Sequence, residues 1–139
     1  MRLSVFAVKG FMEHDRLENI AKEILNASFS VHKEMGPGLL ESIYELCLIK
    51  ELDLLGLEVK SQVSIPLFYK GCELSKDFRI DILVENEIIL EIKAVETLLP
   101  VHEAQIISYL KLTNKQLGFL INFNVSLLKN GLKRFVNNY

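Results

Sequence analysis

The stretch from Asp77 to Lys93, DFRIDILVENEIILEIK, constrains the fold of this chain most strongly. Two alternating runs flank a polar tip, which is the pattern of a hairpin with one buried face. Because successive strand residues point to opposite faces, a slip of one residue would exchange every side chain between core and solvent. If Glu85-Asn86 were the whole turn, Ile80 would oppose Glu91 and Asp81 would oppose Leu90, mixing polar with apolar residues on both faces. An odd-length tip or a bulge near Asn86 gives the consistent register. It pairs Val84 with Ile88, Ile82 with Leu90 and Ile80 with Ile92 on one face, and Asp81 with Glu91 and Arg79 with Lys93 on the other.

Helical spacing dominates the chain before this hairpin. Leu17, Ile20, Ala21, Ile24, Leu25 and Val31 recur at intervals of three and four, which predicts a helix over residues 15–34 with Asp15 as N-cap. Gly36-Pro37-Gly38 must end it. A second helix is expected over residues 39–55, with Gly56 as its stop. Residues 58–69 and 73–84 read as antiparallel strands across a Lys70-Gly71 turn, and residues 87–94 as a third strand. Pro100 suits the first turn of a helix ending near Asn114, and QLGFLINF at 116–123 reads as a buried strand. Asn130-Gly131 signals a turn before a last strand or helical turn at 132–136. The order predicts an α/β architecture, a mixed sheet flanked by helices.

Composition bounds the class. A chain of 139 residues, half of them hydrophobic and 24% charged, has material for one core, so residues 1–139 are read as a single domain. Residues 1–14 are expected to be a loose arm or an edge strand, being too short and lacking a cleavage site for a signal peptide. No apolar run approaches the length of a membrane span. Cys47 and Cys72 lack metal or redox spacing, so both are expected to be buried thiols of a cytoplasmic protein. Residues 99–139 carry five Lys/Arg against the single acid Glu103, whereas residues 1–98 carry 11 against 17. A basic field of the kind phosphate neutralisation favours is therefore confined to the C-terminal segment, including Lys129, Lys133 and Arg134.

The hairpin also carries the chemistry. Opposed carboxylates at Asp81 and Glu91 repel and call for a cation, and a hard divalent metal supplies one. Lys93, two residues beyond Glu91 on the same face, can stabilise the charge that develops at a phosphorus under attack. Asp81 followed by Glu91-Ile92-Lys93 resembles the PD-(D/E)xK nuclease superfamily, with Ile80 standing where that pattern has proline. Gly38-Leu39-Leu40-Glu41-Ser42-Ile43-Tyr44 spells GxxExxY, and the chain resembles the GxxExxY family of that superfamily from about residue 32 onward. Further matching features are Gln105-x-x-x-Tyr109 and Gly118-Phe119-Leu120-Ile121-Asn122-Phe123.

The resemblance implies a nuclease-like α/β fold and hydrolysis of phosphodiester bonds with Mg²⁺ or Mn²⁺. Asp81, Glu91 and Glu41, with the Ile92 carbonyl, would hold the metal, and Lys93 would assist attack by an activated water. Gln105 and Tyr109 share a helix face and are expected to flank a substrate phosphate or to pack on the sheet. Arg79 is either a phosphate contact or the partner of an acid. His102, one turn before Gln105, is a further candidate to touch substrate, while His14 and His32 read as surface or packing residues. The partner implied is nucleic acid, DNA or RNA, with no membrane; a homo-oligomer is compatible with the sequence. The alternative is a catalytically silent nuclease fold retained for binding or assembly, and hydrolysis of a smaller phosphoester also stays open.

Overall fold

The computed structural model describes residues 4–139, with the side chains of residues 5–8 and 75–77 outside the description. A long helix, α1 (Val5–Met35), is followed by α2 (Glu41–Leu54), the strands β1 (Val59–Tyr69), β2 (Cys72–Val84) and β3 (Ile88–Lys93), the helix α3 (Pro100–Thr113), and the strands β4 (Leu117–Asn122) and β5 (Leu132–Val136). The arm expected at 1–14 is thus helical from Val5, its first three residues lying outside the described ones. The buried stripe Leu17, Ile20, Ala21, Ile24, Ala27 and Val31 holds α1 on the core. Once that nucleus exists each preceding residue adds a hydrogen bond, and Gly10 costs only about 1 kcal/mol, so the helix runs on past Asp15.

The five strands form one mixed sheet in the order β1-β2-β3-β4-β5. β3 and β4 are parallel, and the other neighbours are antiparallel. A parallel pair needs a crossover, which α3 provides. It starts at Pro100, which fixes a helical φ and gives up an amide that has no intrahelical partner, and it ends at Asn114 in the left-handed region. Every residue of β4 is buried, because helices cover both faces there.

On one face α1 and α2 pack against Ile82, Val84, Ile88, Leu90, Ile92 and the alternate β4 residues. On the other, Ile106, Tyr109 and Leu110 of α3 meet Ile65, Ile80, Leu83, Ile89 and Leu120. Gly118 admits α3 closely, since a Cβ there would lie 3.1 Å from Ile106 Cδ1 and 3.2 Å from the Ile89 carbonyl. Tyr44 explains the last letter of GxxExxY. Fully buried and stacked on Phe123, it donates its hydroxyl to the Gly36 carbonyl at 2.6 Å and accepts from the Leu39 amide at 3.0 Å. It therefore pins the turn that launches α2.

Residues distant in sequence close the fold. Glu18 of α1 takes Arg134 Nη1 at 3.1 Å and the Tyr139 hydroxyl at 2.5 Å, while His14 stacks on the Tyr139 ring. Arg16 pairs with Glu87 in the β2–β3 tip. His32 contacts the Val125 carbonyl at 2.7 Å, the packing role expected of it. Among the described residues no helix is long and apolar enough to cross a membrane.

Candidate active site

The β2–β3 register is the odd-tipped one: Val84 pairs with Ile88, Leu83 with Ile89 and Ile82 with Leu90. The ladder then stops. The rung that would join Ile80 to Ile92 is replaced by a side chain, because Asp81 Oδ2 accepts the Ile92 amide at 2.8 Å. The strands part there, and Ile80 packs with the α3 cluster while Ile82 stays with α1 and α2. The expectation that Ile80 shares the face of Ile82, Leu90 and Ile92 therefore fails, as does the pairing of Arg79 with Lys93. A period-two count cannot see a carboxylate standing in for a backbone acceptor. Since a strand residue directs its N–H and C=O to the same edge, the Ile92 carbonyl also faces the gap.

Glu91, between Leu90 and Ile92, points to the opposite side of the sheet from both. It is 3% exposed, and its Oε1 has no hydrogen-bond partner. Burial first, and then the neighbouring Asp81 charge, push its carboxyl up to about 9, with Lys93 opposing only in part. Such a group is costly unless something neutralises it. Glu41, at the exposed start of α2, has its pKa raised by desolvation, with Lys93 lowering it and Asp81 and Glu45 raising it. These interactions place the first turn of α2 within electrostatic reach of Asp81 and Lys93.

Among the described residues no three His, Cys, Asp or Glu side chains are gathered tightly enough to hold a metal ion. The core of the site is the pair Asp81 and Glu91, with Glu41 and Glu45 near it. The pair has the chemistry of a hard-cation donor set: a buried carboxylate oxygen lacking any donor, a second carboxylate beside it, and the Ile92 carbonyl on the same edge.

Lys93 lines a cleft of about 480 Å³ with Val101, His102, Gln105 and Ser108 of α3. His102 Nδ1 accepts the Leu99 amide at 3.0 Å, capping the helix and leaving Nε2 to carry a ring proton. Gln105 is exposed and donates to the Tyr109 hydroxyl at 3.1 Å. Tyr109 is buried, and desolvation with the Glu91 charge raises its pKa. Tyr109 packs on the sheet, as the packing reading expects, and Gln105 borders the cleft. Arg79 is exposed on β2.

Two participants escaped the sequence reading. Gln62 of β1 donates to Glu45 Oε1 at 2.9 Å and approaches Asp81 Oδ1 at 3.5 Å, with its backbone at φ +51. Glu45 stands one turn beyond Glu41, a spacing that marks it as a neighbour on the same helix face; burial and Asp81 raise its pKa, while Gln62 lowers it. The C-terminal basic cluster is largely spoken for, Lys133 by Glu103 at 3.3 Å and Arg134 by Glu18.

No curated protein and no solved structure matches the chain. A family model, described as the PD-(D/E)XK nuclease superfamily, matches residues 18–135, from within α1 through α2, β1 to β4 and α3 to the penultimate residue of β5. The chain that presents a buried, unsatisfied Glu91 beside Asp81 belongs to the PD-(D/E)XK nuclease superfamily.

Proposed function

We propose that this protein is a metal-dependent nuclease of the GxxExxY type, hydrolysing phosphodiester bonds of DNA or RNA. The observation that carries the reading is the Oε1 of Glu91, buried and without a hydrogen-bond partner in a carboxyl that lies against Asp81. Asp81, Glu91 and the Ile92 carbonyl would hold Mg²⁺ or Mn²⁺, with Glu41 approaching from α2. When bound, the ion supplies charge neutralisation at phosphorus and acidifies water. The chain's own part is to orient and to exclude solvent. The Ile92 amide fixes the Asp81 carboxylate, and Glu91 is almost wholly buried on the side of the sheet where Ile89, Leu120 and Tyr109 pack. Lys93 presents an ammonium to a non-bridging phosphate oxygen in the α3 cleft, where Gln105 borders the bound strand.

A panel of single-stranded and duplex DNA and RNA, incubated with Mg²⁺ or Mn²⁺, tests the reading. Asp81→Ala, Glu91→Gln and Lys93→Ala should each lower the cleavage rate about 100-fold or more while leaving the fold intact. Metal binding by the wild type without cleavage of any substrate would identify a silent nuclease fold instead.

A further inference from the structure

The sheet does not end at the site. β1 and β2 run on as a two-stranded ribbon beyond the last β2–β3 rung, to a tip at Lys70-Gly71 where both residues have positive φ. This is the two-residue turn whose twist suits a hairpin. Because β2 is antiparallel to β3, the ribbon leaves the sheet at the C-terminal end of β3, the end that carries Glu91 and Lys93. Its two faces differ. Ile65 packs with α3; the β1–β2 register shifts between Ile65 and Leu67, but the additional residues lie in β2, so along β1 Leu67 and Tyr69 follow Ile65 at alternate positions, on the side of the sheet where Glu91 and Lys93 lie and opposite Leu74 and Cys72. The reverse face carries Phe68 opposite the acid Glu73. Tyr69 is 62% exposed and Leu74 43%, and the Lys70 ammonium lies 5.5 Å from the centre of the Tyr69 ring. Cys72, expected to be buried, is exposed here.

We infer that the Leu67–Tyr69 face of the ribbon is a platform for unpaired nucleic acid, stacking a base on Tyr69 and setting Lys70 against the adjoining phosphate. The inference rests on the nuclease reading for its substrate. An aromatic ring with a cation at its face, beside the paired residues Leu67, Leu74 and Cys72, none of them acidic, fits a base and its phosphate, whereas the Glu73 face repels one. Seven residues separate Gln62, beside Asp81, from Tyr69, or about 23 Å of strand. The platform therefore grips the strand several nucleotides from the bond that is cut. Bases in an intact duplex are already stacked on one another, so the surface selects single-stranded or frayed substrates.

Fluorescence anisotropy with labelled 12-nucleotide DNA and RNA single strands and a blunt duplex, in EDTA, measures binding without cleavage. Tyr69→Ala should weaken single-strand binding fivefold or more, Tyr69→Phe should retain it, and Phe68→Ala on the reverse face should leave it within twofold. Lys70→Gln should flatten the salt dependence by about one phosphate contact. Equal losses from Tyr69→Ala and Phe68→Ala, no loss from either, or no binding by the wild type would overturn the platform. So would a change of sedimenting mass in Tyr69→Ala, which would make the ribbon a contact between copies. The cleavage panel stands apart from all of these, since a nuclease with no platform still cuts and still depends on Asp81.

Discussion

Glu91 and Asn122 sit at the C-terminal ends of adjacent parallel strands, and both are almost wholly buried, yet their surroundings are opposite. Asn122 Oδ1 accepts the Val95 amide at 3.0 Å and the Asn124 amide at 3.2 Å, and its Nδ2 donates to the Val95 carbonyl at 2.8 Å. Its polar atoms are paired in tying down the loop after β3. Glu91 keeps one oxygen without a partner beside a second carboxylate. Buried polar groups are ordinarily satisfied, as Asn122 is, and one left without a partner calls for an explanation beyond packing. Two adjacent strands of the same sheet thus hold a satisfied buried amide and an unsatisfied buried carboxyl.

The sharpest way to break this contrast is to remove each side chain in turn. Asn122→Ala strands the Val95 and Asn124 groups and should cost about 2–4 kcal/mol in a denaturant melt. Glu91→Gln should instead stabilise the metal-free chain, and a loss comparable to that of Asn122→Ala would make Glu91 an ordinary scaffold residue.

The pH dependence sharpens it further. Below pH 4.5 the Glu91 carboxyl is protonated whether the chain is folded or not. Between there and about 9 only the unfolded chain ionises, so the stability of the metal-free wild type falls as pH rises. Glu91→Gln should melt about 5 °C above wild type at pH 8 and close to it at pH 4.5. Parallel melting curves across this range would remove the case for a strained carboxyl.

Adding Mg²⁺ at about ten times its dissociation constant should stabilise the wild type by about 1.4 kcal/mol. Asp81→Asn, which keeps its shape but loses its charge, should not respond. An equal response from the two in a thermal melt would place any bound ion elsewhere. The smallest effect belongs to the surface pair. Arg134 and the Tyr139 hydroxyl hold Glu18 down at about 2, so its contribution is present above pH 4.5 and is lost as pH falls through about 2. The pair is well exposed, and Glu18→Gln should cost no more than about 1 kcal/mol at pH 7 in a denaturant melt.

The hairpin that carries Asp81 and Glu91 was legible because burying one face of an alternating run leaves only one register. The mixed sheet, the Pro100 start of α3 and the buried β4 were legible for similar local reasons. What escaped depends on chain-distant geometry. Gln62 gains a role only through the β1–β2 register and its unusual backbone angle. Ile80 changes face because a side chain replaces a rung. The helical course of residues 5–14 follows from the packing of α1 further along, and residues 5–14 themselves give no such signal.

The junction of Glu18 with Arg134 and Tyr139 bears on the order in which the chain folds. Its partners are 116 and 121 residues apart in sequence, and the logarithmic cost of closing a loop of that size is about 4 kcal/mol. The β1–β2 ribbon closes across two residues and can form within microseconds. The ribbon and the β3–α3–β4 unit are therefore expected early, with α1 settling onto them late. Mutations at the Glu18 junction should accordingly accelerate unfolding while leaving the refolding rate nearly unchanged.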